Sequence, residues 1–292
     1  MLQIINIPVS YTHLRAHETD SYLVCRLLLE KKIDKKIPFV RELSKNYAGI
    51  DPVYEPIPVR PVVHYMMGGI DTDITGATAI PGLYAAGECA CVSINGANLL
   101  GSNSLTELLV FGNRAGKAAA QFALESPRVN TALLELQAAE EQERISRNFF
   151  RKEGGSERIF TLRQEMNETM ETSAGIYRSE KSLKETCNKI KELKDRFSNI
   201  IIEDRSFNFN TELTSALELE FMLDVAEAIS YSALERTESR GSHQRTDFPG
   251  RDDENFLKHS LAYQNDIEPR IDYKDVVITK WPPGERVYGK EG

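Results

Sequence analysis

The chain has 292 residues, of which 41% are hydrophobic, so it is long enough to fill one large core or two modest ones. Its formal net charge of -8 argues against nucleic acid or an anionic membrane surface as the main partner. No apolar run reaches the roughly 18 residues that a membrane-spanning helix needs, so we predict a soluble protein without direct membrane insertion.

Four cysteines are too few and too scattered to form a disulfide framework. Cys89 and Cys91 are separated by a single residue, which is not the spacing of a zinc half-site, and no second cysteine pair accompanies them. We therefore predict a reduced compartment and no metal site, with the cysteines serving as ordinary small residues.

The amino-terminal segment differs in character from the rest of the chain. Its stretch PVSYTHLRAHETDSYLVCRLLLEKK, residues 8–32, resembles translated sequencing-adapter read-through, and it has no signal-peptide or arginine-rich targeting pattern. We expect residues 1–32 to be a non-native extension, so that the authentic chain begins near Lys31 as the C-terminal part of a longer protein. His13 and His17 stand at helical spacing there, and we assign no metal to them.

A short amphipathic helix is predicted over residues 33–50, with Ile37, Val40 and Leu43 on one side. The stretch DPVYEPIPVRP that follows has four prolines in eleven residues, which forbids a helix and is typical of a crossing between domains. In HYMMGGIDTDI, residues 64–74, a Gly-Gly turn is followed by Ile70, Thr72 and Ile74 at alternating positions, which predicts a strand. GLYAAGE, residues 82–88, reads as a short apolar strand with Glu88 at its carboxyl end.

Helical periodicity dominates after residue 105. Apolar positions recur at i, i+3 and i+4 with Glu and Lys between them, which predicts a helical bundle broken at KEGGSER and SAGIYRS. The predicted helices cover residues 105–125, 131–150, 157–174, 179–197 and 211–239. A polar tail begins at residue 240, with a strand predicted at DYKDVVITKW, residues 272–281.

The first of these helices follows a run of small polar residues. Ser104 and Glu107 fit a capping box, which predicts that the helix begins at about Leu105. Small residues late in the helix would let its backbone lie close to another element. The predicted inward face comprises Leu105, Leu108, Leu109, Gly112, Ala115, Gly116 and Ala119.

The turn before this helix leaves backbone N–H groups uncovered at Gly101, Ser102 and Asn103. Such amides, together with the positive end of the helix dipole, form an anion site, and a glycine lets a flat group approach. An acid at a strand end, such as Glu88, suits ribose or ribityl hydroxyls. The turn and Glu88 could therefore hold two parts of one ligand; the alternative is a capped, buried helix without a ligand.

Several blocks together resemble the succinate dehydrogenase/fumarate reductase flavoprotein subunit family, from about residue 33 to 290. They are PIPVRPVVHYMMGGIDTD, GLYAAGECACVSINGANLLGSNSLTELLVFG, GGSERIFTLRQEM, GIYRSEKSL, ESRGSHQRTDFPGRDDENFLKH and VVITKWPPGERVYG. The last block is most similar to quinol-linked fumarate reductase. Aspartate oxidases, which share SNSL, generally have Ala at position 101 and lack PPGERVYG.

The resemblance implies an α/β + α fold, in which the C-terminal part of an FAD-binding α/β domain is followed by a helical bundle and a short extended C-terminal domain. On this basis residues 33–58 are the end of a capping domain and a linker. Residues 59–125, 126–239 and 240–292 are then the FAD-binding portion, the helical domain and the C-terminal domain.

The resemblance also implies site residues. His64 and Tyr65 match flavin contacts, His64 also matches a donor to a substrate carboxylate, and Glu88 matches the acid that binds the FAD ribityl chain. Amides facing the flavin pyrimidine end would stabilise negative charge at N1 and the C2 carbonyl on reduction. These amides match Leu99, Leu100, Gly101, Ser102, Asn103, Ser104 and Leu105.

The implied activity is interconversion of fumarate and succinate by hydride transfer at flavin N5. Electrons would be exchanged with a quinone pool through an iron–sulfur subunit, in a complex held by anchor subunits on the cytoplasmic face of the membrane. Alternatives are a succinate dehydrogenase, an L-aspartate oxidase, or an inactive scaffold that docks the iron–sulfur subunit.

The sequence departs from the family's pattern at Leu99, where the family has an arginine that binds the substrate carboxylate. Three features of the family belong upstream of this segment: the GxGxxG motif, the histidine that links FAD covalently, and the capping-domain arginine that acts as the proton donor. Arg41 and Arg60 do not match that arginine. We therefore expect weakened fumarate turnover and weak FAD binding by the chain alone. For Arg240 and His243 in ESRGSHQR, contact with the cofactor and bracing of the domain both remain open.

Overall fold

The computed structural model describes residues 3–5, 9–11, 33, 35, 37–58, 63–127, 130–265 and 267–284. The chain divides into two compact units, one of residues 11–64 and one of residues 1–10 with 65–292, which are described separately. Most of segment 1–32, with His13 and His17, lies outside the described residues, as do Cys25, Arg60 and residues 285–292.

The described helices and strands follow the chain in this order. The helices are α1 (Pro38–Leu43), α2 (Asn103–Glu125), α3 (Thr131–Ile145), α4 (Ile159–Ser173), α5 (Glu180–Phe197), α6 (Thr211–Glu235) and α7 (Asp253–Phe256), with π-helical turns at Ser44–Ala48 and Ser146–Phe150. The strands are β1 (Gln3–Ile5), β2 (Val9–Tyr11), β3 (Val63–Met66), β4 (Gly69–Asp71), β5 (Ala90–Cys91), β6 (Tyr177–Arg178), β7 (Gln244–Arg245), β8 (Lys258–Tyr263) and β9 (Arg270–Asp275).

The smaller unit contains the helix predicted over residues 33–50. Helix α1 begins at Pro38, whose fixed φ suits the first helical position, and its π-helical turn ends at Gly49, which is left-handed at φ 67°. Arg41 donates to both carboxylate oxygens of Asp51 at 3.0 and 2.8 Å, and these bonds hold the pKa of Asp51 well below its usual range. The predicted apolar side is not buried, because Ile37 is 47% exposed.

The larger unit contains a five-stranded sheet in the order β5-β4-β1-β8-β9. Strands β4 and β5 are parallel, with Ile70 opposite Ala90, and the remaining pairs are antiparallel. The turn predicted at the Gly-Gly pair lies one residue earlier, at Met67 and Gly68, since β3 ends at Met66 and β4 begins at Gly69; β4 then ends at Asp71, before the predicted Ile74. The strand predicted over 272–281 ends early at Asp275, because Asp275 pairs with Lys258, the first residue of β8.

The strand predicted over residues 82–88 is wrong. Tyr84 makes only an isolated bridge with Ala77, and the next strand, β5, begins at Ala90. Gly82 and Gly87 adopt φ values of 84° and 85°, which bend the backbone away from an extended course. Glu88 therefore lies in a turn before a strand and not at a strand's carboxyl end.

The helical bundle is confirmed. Helices α3 to α6 agree with the prediction to within a few residues, and α6 stops at Glu235 because Arg236 is extended at ψ 97°. Side-chain caps begin α3, α5 and α6: the Asn130, Ser179 and Asn210 side chains each accept a backbone N–H from the first turn. Its apolar core includes Leu162, Ile190, Leu193, Ile200, Leu219 and Leu223.

Among the described helices, none combines the length and the apolar character that crossing a membrane requires.

Candidate functional site

Helix α2 begins two residues earlier than predicted and has a different cap. Its N-cap is Ser102, which adopts the left-handed conformation at φ 66°, and no side chain of the described residues accepts a hydrogen bond at this cap. The predicted capping box of Ser104 and Glu107 is therefore wrong. Its physical reason is that Glu107 turns inward, where it is 2% exposed, and does not reach back to the helix start.

The carboxylate of Glu107 binds two neutral donors. Its Oε2 accepts the Tyr65 hydroxyl at 3.0 Å and the Asn95 Nδ2 group at 2.7 Å. Tyr65 is 5% exposed, and burial, followed by the bond to Glu107, raises the pKa of its phenol. Sequence reasoning missed this cluster, although a glutamate within an apolar helical run was a signal that could have found it.

The inward face of α2 differs from the predicted one. The buried residues are Glu107, Phe111 and Ala115, whereas Leu105 and Leu109 are 66% and 76% exposed. Only Ala115 of the predicted face is buried, and it allows a close approach: a Cβ added at Gly76 would lie 2.7 Å from the Ala115 Cβ. Because α2 has apolar residues on two adjacent stripes, periodicity alone does not tell which stripe faces inward.

The turn that precedes α2 presents open backbone. A Cβ added at Gly101 would meet no atom of the described residues within 4 Å, and Leu100 is 56% exposed. Asn103 N–H donates to the Leu100 carbonyl at 3.1 Å, which leaves the next amides of the helix start without a side-chain cap. An uncapped terminus beside an unobstructed glycine suits the electron-rich edge of a flat ligand.

Leu99 does not share the exposure of Leu100. It is 9% exposed and packs with Tyr65 and Met67 in a small apolar cluster. A leucine in this cluster adds apolar contact with the phenol that Glu107 binds, and it supplies no hydrogen-bond donor.

Glu88 contacts the end of strand β3, and His64 is a residue of that strand. Glu88 is exposed, and its Oε1 accepts the backbone N–H of Met66 at 3.0 Å, so the turn at 87–89 is bonded to the end of β3 in the larger unit. His64 is exposed and precedes the buried Tyr65. The described contacts thus join Tyr65 to the start of α2, and Met66 to Glu88.

The segment ESRGSHQR braces the larger unit. Arg240 donates to Glu238 and Asp253. His243 Nδ1 accepts from Arg178 at 2.8 Å and its Nε2–H donates to the Arg236 carbonyl at 3.0 Å, since an arginine can only donate. Burial, then the Arg178 charge, lowers the pKa of His243 to about 3, so the imidazole is neutral. Of the two readings left open, these contacts support bracing.

The same segment fixes the turn before α2. The backbone N–H and the hydroxyl of Ser242 both donate to the Ala97 carbonyl at 3.1 Å. Gly241 adopts φ 58°, and a Cβ there would lie 2.3 Å from the Ala97 oxygen. Only glycine allows this approach, so the glycine in SRGSH was the sequence signal for a contact that sequence reasoning did not find.

Two family models match the chain. One, described as FAD binding domain, matches residues 8–105, and the other, described as fumarate reductase flavoprotein C-term, matches residues 163–288. The chain belongs to the fumarate reductase and succinate dehydrogenase flavoprotein family. Its cofactor is FAD, and the uncapped helix start with the open Gly101 fits the edge of such a cofactor.

Relatives of this flavoprotein family cover nearly the whole chain. The fumarate reductase flavoprotein subunit of Mycobacterium tuberculosis is 57% identical over 273 residues, which are 92% of this chain and 47% of the relative. That of Escherichia coli is 48% identical over 92% of this chain and 45% of the relative. The chain spans about half the length of the curated relatives it matches.

A solved structure agrees with the fold. A point mutant of the E. coli quinol fumarate reductase FrdA superposes with a TM-score of 0.85 at 47% identity, covering 93% of this chain and 46% of that one. The mixed sheet and helical bundle expected from the resemblance are therefore confirmed as a flavoprotein fold.

Proposed function

We propose that the chain is a segment of the FAD-containing subunit of a fumarate reductase, which interconverts fumarate and succinate. The observation that carries the proposal is the 57% identity to a fumarate reductase flavoprotein subunit across 92% of the chain. The Rickettsia conorii succinate dehydrogenase flavoprotein subunit is 37% identical, so the reductase is the better supported of the two siblings. Nothing described favours an L-aspartate oxidase.

FAD, when bound, supplies hydride transfer at its N5 atom. The first amides of α2 would face the pyrimidine edge, where the helix dipole of roughly half a positive charge stabilises the negative charge of the reduced ring. Two observations on the described residues support this role: the N-cap Ser102 has no side-chain cap, and no neighbouring atom obstructs Gly101. The loop from Leu99 to Leu105 would thus tune the potential of the cofactor without side-chain charge.

Glu88 and His64 would bind the remaining polar groups. A carboxylate accepts hydroxyl hydrogen bonds, so the exposed Glu88 suits the ribityl chain. His64 would donate to a carboxylate of the substrate, and Tyr65, buried behind it in the chain, would contact the flavin through its ring. A dicarboxylate substrate needs cationic donors at both ends, preferably bidentate arginine.

Leu99 removes one of those donors. The buried leucine has no hydrogen-bond capacity, so the substrate carboxylate would lose at least one charge-assisted hydrogen bond, about 1.5–3 kcal/mol. We predict that Leu99→Arg raises fumarate-dependent oxidation of a reduced viologen dye at least about tenfold in a complete flavoprotein context.

Leu100→Arg is the matched control, because it places the same charge on an exposed neighbour. Equal rates for the parent and Leu99→Arg would contradict the role of position 99. Thermal unfolding of both variants shows whether the substitution disturbs the apolar cluster of Leu99, Tyr65 and Met67. Such a disturbance would lower the melting temperature of Leu99→Arg and not that of Leu100→Arg.

A second candidate function is a scaffold that docks an iron–sulfur subunit without turnover. The observation that favours it is again Leu99, since the cluster at this position is apolar where a substrate donor is needed. Co-purification with an iron–sulfur protein, together with no fumarate-dependent dye oxidation by the Leu99→Arg variant, would favour the scaffold over the enzyme.

In either case we propose that the subunit is peripheral on the cytoplasmic face of the membrane, held there by iron–sulfur and anchor subunits. Support comes from the structural relatives, one of which is described as quinol-fumarate reductase with menaquinol molecules. Separation of membrane and cytosol fractions, with and without the partner subunits, tests this placement.

A further inference from the structure

Glu107 is a buried carboxylate with no role in the site proposed above. It is 2% exposed, and both of its described donors, Tyr65 O–H and Asn95 Nδ2–H, are neutral and bind the same oxygen. No ion pair to Glu107 is present among the described residues. Burying a carboxylate without a cationic partner is costly. The two hydrogen bonds offset part of that cost only while Tyr65 and Asn95 stay within reach of the Glu107 oxygen, so they hold both donors in place.

Asn95 depends on Glu107 in turn. Its amide must direct Nδ2 toward the carboxylate, because a carboxylate only accepts. Within the part of the chain that the structure describes, the opposite atom, Asn95 Oδ1, is buried and has no hydrogen-bond partner. The only hydrogen bond described for this side chain is therefore the one to Glu107. Loss of that carboxylate would leave the Asn95 amide without a described partner.

The three side chains come from separate segments. Tyr65 lies on β3, Asn95 opens the turn that Ser242 holds at Ala97, and Glu107 lies one helical turn into α2. Their shared oxygen fixes where Tyr65 stands relative to the start of α2 within the larger unit. The uncapped amides lie between Asn95 and Glu107 in the chain, so both ends of that turn are held by one carboxylate.

We propose that Glu107 is a positioning residue that orders the turn before α2 for FAD, acting through Tyr65 and Asn95. This inference rests on the proposed function for its ligand, but not for its geometry. The carboxylate itself does not touch the cofactor; it sets the place of the backbone amides that do. An order imposed before the cofactor arrives lowers the entropy cost of binding.

The first arm of the test needs no cofactor. Amide hydrogen exchange is measured in the apo chain for the parent, Glu107→Leu, Glu107→Gln and Tyr65→Phe. The control is Phe111→Leu, which reduces packing one turn further along the same buried face of α2. We expect Glu107→Leu to speed exchange of the amides at 99–106 at least about tenfold, the loss of one hydrogen bond to a charged group.

Glu107→Gln keeps an oxygen that can accept both donors, so it should recover much of the protection. Phe111→Leu should speed exchange throughout α2 without a maximum at 99–106. In the Glu107→Leu background, Tyr65→Phe should speed exchange at 99–106 less than it does in the parent, because the bond from its hydroxyl to Glu107 is already gone. The proposal would be overturned if Glu107→Leu sped amide exchange evenly along α2, or if the effects of Glu107→Leu and Tyr65→Phe on exchange were fully additive.

The second arm titrates FAD into the same variants carried in a complete flavoprotein, because the chain alone is expected to bind FAD weakly, and follows flavin fluorescence. We expect Glu107→Leu to weaken binding about tenfold relative to the parent, with Phe111→Leu within about twofold even where its melting temperature falls as far. Equal weakening in both would show a merely structural role and overturn the positioning claim. If the parent and all variants fail to bind FAD while the exchange arm holds, the ligand assignment fails and the ordering of the turn stands.

Discussion

Two regions of the larger unit bury very different groups. In the bundle, Leu162, Ile190 and Leu219 are 0% exposed and surrounded by other apolar side chains. At the start of α2, the buried groups are a carboxylate, a phenol and an amide, and Leu105 on the same helix is 66% exposed. The bundle is stabilised by buried apolar surface to which many side chains contribute, whereas the turn depends on a few hydrogen bonds whose direction matters.

The largest difference should appear on truncation of a leucine. Leu219→Ala leaves a cavity in the closed bundle core and should lower the free energy of unfolding by about 2–5 kcal/mol. Leu105→Ala removes the same atoms from an exposed face of α2 and should change it by less than about 0.5 kcal/mol. Urea unfolding of the two variants makes this measurement. Similar losses of unfolding free energy would mean that Leu105 is also buried against other residues.

The turn should respond to backbone change more than to lost area. Gly241→Ala places a Cβ against the Ala97 carbonyl at a positive φ and should cost about 2 kcal/mol or more. Gly250→Ala is the matched control, because its added Cβ meets no atom within 4 Å in the part of the chain that the structure describes. Urea unfolding compares the two, and an equal, small loss would show that Ala97 can move away.

A smaller effect should come from pH. Burial lowers the pKa of His243 to about 3 in the folded chain, below its usual value near 6.5. Below pH 6.5 the unfolded chain takes up a proton that the folded chain does not, so stability is greatest above 6.5 and falls with pH down to 3. One such group costs about 2 kcal/mol between pH 7 and 5.

His243→Gln removes this proton uptake while keeping an acceptor and a donor. We expect the variant to be less stable than the parent at pH 7, with a flatter dependence on pH between 7 and 5. His259, whose pKa burial also lowers, contributes equally to both proteins, so the difference of the two curves isolates His243. Parallel curves would contradict a neutral, buried His243.

The predictions from sequence succeeded where the determining contacts are local. Helices α4, α5 and α6 were predicted to within a few residues, because helical periodicity is a property of neighbouring positions. The short strand over 82–88 was predicted wrongly, since its apolar residues do not show that Gly82 and Gly87 bend the chain. Resemblance to a flavoprotein family identified FAD, which the helix start alone left open.

Local sequence patterns therefore predicted the helical bundle, a turn beside Gly68 and Gly69, and the start of α2 to within two residues. Tertiary structure alone decided that Glu107 turns inward to Tyr65 and Asn95, that Leu105 lies outside, and that Gly241 meets Ala97. The two kinds of contact differ in how far apart along the chain their partners lie. A helix satisfies its backbone within four residues, whereas a buried carboxylate takes its donors from wherever the fold brings them, here 42 residues away in the chain.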